Sequence, residues 1–141
     1  MADLRERVEA EFENIAKVTA ELAAVSSCHA LSTLERAGVG ALLQSFYNGI
    51  ENVLKQLLLS RRAQLPDGPS WHRDLVNAAT ELHLISGGLA RKLGRYLAFR
   101  HFLSHGYSVE LEAGRLEPLV RDAGEVFGQF QSETSRGLST S

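Results

Sequence analysis

The chain has 141 residues, 44% of them hydrophobic, with a formal net charge of -2; this is enough for one compact domain without cross-links, and the near-neutral total excludes a surface coated in basic residues for bulk nucleic-acid binding. One cysteine, Cys28, excludes an internal disulfide and a cysteine-rich metal site, and agrees with a reducing, cytoplasmic setting. The N-terminus carries charge from Asp3 onward and lacks the apolar core of an export signal, and the apolar runs fall far short of the ~20 residues that cross a bilayer, so a soluble chain with no membrane partner is expected.

Leu4, Val8, Phe12, Ile15 and Leu22 recur at helical spacing and predict a first amphipathic helix from about residue 3 into the twenties. Ser32 followed by Glu35 is a capping box and starts a second helix, which continues through Leu42, Phe46, Ile50, Val53 and Leu57; Gly38 and Gly40 are expected to loosen or break its first turns. Leu65-Pro-Asp-Gly-Pro69 reads as a turn, after which Ser70 is placed to cap a third helix bearing Trp71, Leu75, Ala79 and Leu82. Ser86-Gly87-Gly88 interrupts again. A fourth helix runs from about Leu89 with Leu93, Tyr96, Leu103 and Tyr107 along one stripe, and Gly106 marks where it gives way. A last helix carries Leu116, Val120, Ala123, Phe127 and Phe130. The expected fold is all-α, an up-and-down bundle of four long helices and one short, as a single domain over residues 1–131 followed by a mobile polar tail over 132–141.

Charge is unevenly distributed. Between Glu81 and Glu110 there is no acidic residue, while Arg91, Lys92, Arg95 and Arg100 supply cations; the first 21 residues are instead rich in acids. The acid-free segment reads either as a solvated basic helix face or as a surface turned to a polyanion.

The period that aligns Leu93, Tyr96 and Leu103 calls for an inward or interface-facing residue at position 100, where the sequence has arginine. A guanidinium stays charged, so a partly buried one requires a carboxylate, a phosphate or a partner surface. His105 follows five positions later and Tyr107 two beyond it. At ~100° per residue Tyr107 shares a face with Arg100, whereas His105 lies roughly 140° away. Either the helix unwinds near Gly106, or a site is built across a two-fold axis from two copies.

The string Phe99-Arg100-His101-Phe102-Leu103-Ser104-His105-Gly106-Tyr107 resembles the arginine, four residues, histidine, one residue, tyrosine signature of HEPN-domain ribonucleases, in particular the HepT-like toxin branch. "FYNGIENVLKQLL" and "SWHRDL" look like further segments of that branch, so the resemblance covers residues 46 to 111. It implies metal-independent endoribonuclease chemistry in a homodimer, with no cofactor: Arg100 and His105 are the catalytic pair, and RNA is the substrate. It also implies a minimal nucleotidyltransferase (MNT-type) antitoxin as partner, which adds AMP to Tyr107 and blocks the site with bulk and charge. Where the branch often has a small polar residue after the arginine, this chain has His101, which either supports the site or simply caps it; Ser104 is expected to support the site. The residue types suit that chemistry. A histidine near its ordinary ~6.5 exchanges protons at neutral pH, and the planar arginine fork matches phosphate oxygens.

Other residues carry weaker expectations. Glu51, within the apolar period of the second helix, reads first as a surface acid and alternatively as a carboxylate that pairs with Arg100. Trp71 and His72 read as a helix start packed on the bundle. His29, His72, His83, His101 and His105 are scattered without a metal-ligand pattern, and no metal is expected. Two further readings stay open: a catalytically silent HEPN-fold scaffold for a nucleotidyltransferase, and an unrelated helical dimer with a basic stripe.

Overall fold

Most of the helices begin where a short polar side chain accepts a free backbone N–H. In the computed structural model, which describes residues 3–105 and 111–139, these starts define α1 (Leu4–Ala23), α2 (Thr33–Ser60), α3 (Trp71–Glu81), α4 (Gly87–Ser104) and α5 (Ala113–Ser139), with a 3₁₀ turn at Cys28–Ala30. Asp3 Oδ1 accepts from Glu6 N at 2.8 Å. Ser32 and Glu35 form the reciprocal capping box, Glu35 N donating to Ser32 Oγ at 3.1 Å and Ser32 N to Glu35 Oε1 at 2.8 Å. Ser86 Oγ accepts from Leu89 N at 3.1 Å, so Gly87 and Gly88 form the first turn of α4 and not a break. Ser70 precedes α3 as expected but makes no cap with its side chain, whose hydroxyl donates to Asp74 Oδ2 at 2.9 Å.

Two helices end in the same way. Arg62 and His83 adopt left-handed backbone, with φ of 58° and 60°. Arg62 N bonds Leu59 O and Ala63 N bonds Leu58 O, and the same pair of bonds recurs from His83 N to Thr80 O and Leu84 N to Ala79 O. Both are Schellman motifs, which satisfy the last carbonyls of α2 and α3 and turn the chain sharply.

α2 is the spine of the bundle, touching α1, α3, α4 and α5. Its Phe46, Tyr47, Ile50, Val53, Leu54 and Leu57 are buried against Val8, Phe12 and Ile15 of α1, Leu75 of α3, Leu93 and Tyr96 of α4, and Leu116 and Phe130 of α5 within one continuous core. Each such side chain contributes about 1.5–3 kcal/mol by leaving water. Gly38 and Gly40 do not break α2. Gly40 is a contact point, where an added Cβ would lie 2.7 Å from Leu111 Cδ1, so close packing offsets the backbone cost of glycine. Gly49 plays the same part toward α1, a Cβ there meeting Ile15 Cγ1 at 2.6 Å.

The structure differs from the sequence-based expectation at the far end. α5 continues past residue 131 to Ser139, because the polar stretch still places Thr134 and Leu138 inward, and Arg61 of the α2 terminus donates to Gly137 O at 3.3 Å. Gly106, expected to end the fourth helix, lies outside the described residues; α4 ends at Ser104 with His105 as its C-cap. Among the described residues there is no strand, and no helix is long and apolar enough to cross a membrane.

Candidate active site

α4 buries Leu89, Leu93, Tyr96 and Phe99, and Tyr96 donates its hydroxyl to Leu119 O at 2.8 Å, which fixes the helix against α5. That orientation carries Arg100, half-buried, into the junction of α2, α3 and α4. Its Nε donates to Asn48 Oδ1 at 3.2 Å, and its NH1 lies 3.2 Å from His72 Nε2. His72 Nδ1 in turn lies 2.7 Å from Glu51 Oε2. Asn48 and Glu51 sit three residues apart on one face of α2, and His72 lies in the first turn of α3.

The proton positions follow from what each partner can do. A guanidinium only donates, so His72 Nε2 accepts; the imidazole proton is therefore on Nδ1, which donates to the Glu51 carboxylate. A chain runs from carboxylate to imidazole to guanidinium, and the hydrogen bonds of Arg100 among the described residues go to Asn48 Oδ1 and His72 Nε2. Among the described residues no carboxylate bonds Arg100. Its positive charge is left available to an anion.

Glu51 is 3% exposed, which corrects its reading as a surface acid: it lies within the apolar period of α2, a helix enclosed on several sides. The carboxylate reaches Arg100 through His72 and not by a direct bond. His72, read from the sequence as packing only, is a full member of the site, as is Asn48, which sequence reasoning missed. The only available signal was that both fall in the two blocks flanking the arginine motif, 28 and 52 residues from Arg100 in the chain. The Trp71 ring lies 3.6 Å from the His72 ring, and Lys55 Nζ sits 4.4 Å over Trp71. Tyr47 is buried, and among the described residues no partner lies within hydrogen-bonding geometry of its hydroxyl; burial first, and the nearby Glu51 carboxylate second, push its phenol far above the usual range.

His105 is placed differently. It is exposed, and its Nδ1 bonds the carbonyl of His101 at 2.9 Å. A carbonyl only accepts, so the neutral ring carries its proton on Nδ1 and leaves Nε2 bare. Ser104 Oγ donates to the same carbonyl at 2.8 Å, and the His101 and His105 rings meet edge to face at 4.4 Å. The carbonyl and ring of His101 thus hold His105, Ser104 shares the same acceptor, and among the described residues no hydrogen bond joins His105 to Arg100. Tyr107, the expected acceptor for AMP, lies outside the described residues.

The acid-free segment is partly partnered by α5: Arg95 pairs with Asp122 at 3.1 Å and Lys92 donates to Gln129 at 2.7 Å, while Arg115 of α5 adds a cation over the Phe102 ring at 4.0 Å. Burial, with the neighbouring Glu117 carboxylate, pushes the buried Cys28 thiol up to about 11, which disfavours the thiolate at neutral pH. Among the described residues no three His, Cys, Asp or Glu side chains cluster closely enough to hold a metal ion.

A family model described as "HepT-like protein" matches residues 38–139, which takes in all of α3 and α4 and every residue of the Glu51, His72 and Arg100 chain. No curated protein and no solved structure gives a significant match. With most of the sequence matched and an all-α bundle around the arginine, the reading as an unrelated helical dimer falls, and the chain belongs to the HepT-like family of HEPN-type proteins.

Proposed function

We propose that the protein is a metal-independent endoribonuclease of the toxin type, acting as a homodimer in which Arg100 and His105 serve one phosphodiester. The observation that carries this reading is the half-buried Arg100 guanidinium, held by two neutral acceptors with its charge unanswered by a direct carboxylate. His105, with Nδ1 tied to the His101 carbonyl, offers Nε2 as the base. In the reaction Nε2 takes the proton of the ribose 2'-hydroxyl, O2' bonds to phosphorus, the P–O5' bond breaks, and the proton passes to O5'. The products are a cyclic phosphate and a 5'-hydroxyl, and no electrons are exchanged. Arg100 binds the phosphate oxygens as charge builds on them. Because the two side chains share no bond within a chain and differ by roughly 140° around the helix, each phosphate is served by the arginine and histidine of a dimer. A nucleotidyltransferase antitoxin transferring AMP to Tyr107 would silence it.

The test is cleavage of single-stranded RNA by purified protein in the presence of EDTA. Arg100→Ala and His105→Ala are each expected to lower the rate at least about 10²-fold with unchanged helical circular dichroism; wild-type rates in either variant sink the assignment. The separation of Arg100 from His105 within one chain favours a second reading, a silent scaffold for the nucleotidyltransferase. That reading predicts no cleavage by wild type and a stable complex with the partner.

A further inference from the structure

We propose that His72 is a positioning residue for Arg100, holding the guanidinium in place by presenting an unprotonated Nε2 whose state is set by Glu51. The inference rests on the reading of Arg100 as the phosphate clamp. Arginine carries several rotatable bonds in its stem, so its rigid fork loses its position unless something holds it. Here two contacts do so, Asn48 Oδ1 on Nε and His72 Nε2 on NH1.

The contact from His72 exists only in one tautomer and one charge state. With the proton on Nε2 the ring would present N–H to N–H, and the doubly protonated ring would also set two cations against each other. Glu51 selects the working form by accepting from Nδ1 at 2.7 Å, and its burial makes that preference hard to lose, since an unpartnered carboxylate there is costly. The charged groups around His72 are Glu51 on α2 and Arg100 on α4, with Lys55 of α2 behind the Trp71 ring that covers its face. Through this arrangement a buried acid orients the arginine without neutralising it by direct contact, whereas a salt bridge would compete with the phosphate.

The experiment uses two variants that differ in reach. In His72→Asn the amide occupies the place of Nδ1, keeps a donor on Glu51 and so protects the fold, but falls short of Arg100. In His72→Gln the amide extends to the place of Nε2 and can accept from NH1. The expected result is a drop in kcat of roughly 10- to 100-fold for His72→Asn, the usual range for loss of an orienting partner, with KM within about threefold and recovery of most of kcat in His72→Gln. The Arg100 Nε–H resonance, sharp in wild type, should broaden or exchange rapidly in His72→Asn and return in His72→Gln. Wild-type kcat in His72→Asn, or equal losses in both variants, overturns the proposal. Should wild-type protein cleave no RNA, the ribonuclease reading fails alone, and the resonance still decides whether His72 holds Arg100.

Discussion

Arg100 and His105 occupy opposite kinds of place. The arginine is gripped by side chains from two other helices, while among the described residues the histidine is held by the carbonyl and ring of His101 in its own helix end. The residue scale also contains strain that function does not require. Arg62 and His83 hold left-handed backbone at φ of 58° and 60°, a conformation that costs a non-glycine residue about 1–2 kcal/mol. Replacing either by glycine should raise stability by about 0.5–1 kcal/mol after allowing for the added freedom of the unfolded chain, as read from urea midpoints at constant m. Legibility at this scale was uneven. Arg100 stood out because a helical period places it where apolar residues belong, and Glu51 was weighed as its partner because it falls within the apolar period of α2. His72 did not stand out, because its part depends on how α2 and α3 are set against each other, and it is not anomalous in its own helix.

At the scale of elements, caps and periods told nearly everything. The capping box at Ser32 and Glu35 and the apolar period of α1 are local signals, and the structure realises both. The glycines of α2 are harder to interpret, because sequence alone does not separate a weak point from a contact. The structure separates them by what surrounds each one. Nothing lies within 4 Å of a Cβ built at Gly38, whereas one at Gly49 would strike Ile15 at 2.6 Å. Gly38→Ala should therefore stabilise the protein by about 0.5–1 kcal/mol through helix propensity, and Gly49→Ala should destabilise it by about 1–3 kcal/mol through overpacking at the α1 crossing. Thermal or chemical melts of the two variants, expected to move in opposite directions, provide the check. The far end of α5 departs from expectation because composition hides position: residues 132–139 are mostly small or polar, yet they place Thr134 and Leu138 in contact with the core.

For the molecule as a whole, α4 is clamped at its start by an acid from α5. Glu133 accepts from Ser86 N at 2.6 Å, from Ser86 Oγ at 3.0 Å and from Gln129 Nε2 at 2.8 Å. Burial pushes this carboxyl upward, but those bonds and the charge of Arg136 outweigh it and hold the group below its ordinary 4.5. A folded value lower than the unfolded one means stabilisation that is complete above the unfolded value and disappears as pH falls through the folded one. Wild type should therefore lose about 0.5–1 kcal/mol more than Glu133→Gln as pH drops from about 5.5 to about 3, the usual worth of an anion at a helix N-terminus, with the gap between their melting temperatures closing over that window. The proposed pairing of Arg100 with His105 belongs to this scale too: helix geometry sets the two roughly 140° apart in one chain, and the proposal brings them together across a second copy.

The notch at Gly40 bears on the junction of α4 with α5. A Cβ there would meet Leu111 at 2.7 Å and Leu103 at 3.7 Å, so the last turn of α4, which ends in His105, and the residue leading into α5 rest on the same small patch of α2. Both feet of the connection are pinned to one spot. A methyl group at position 40 acts as a wedge under the two together, which makes this glycine a handle for shifting the histidine-bearing end of α4.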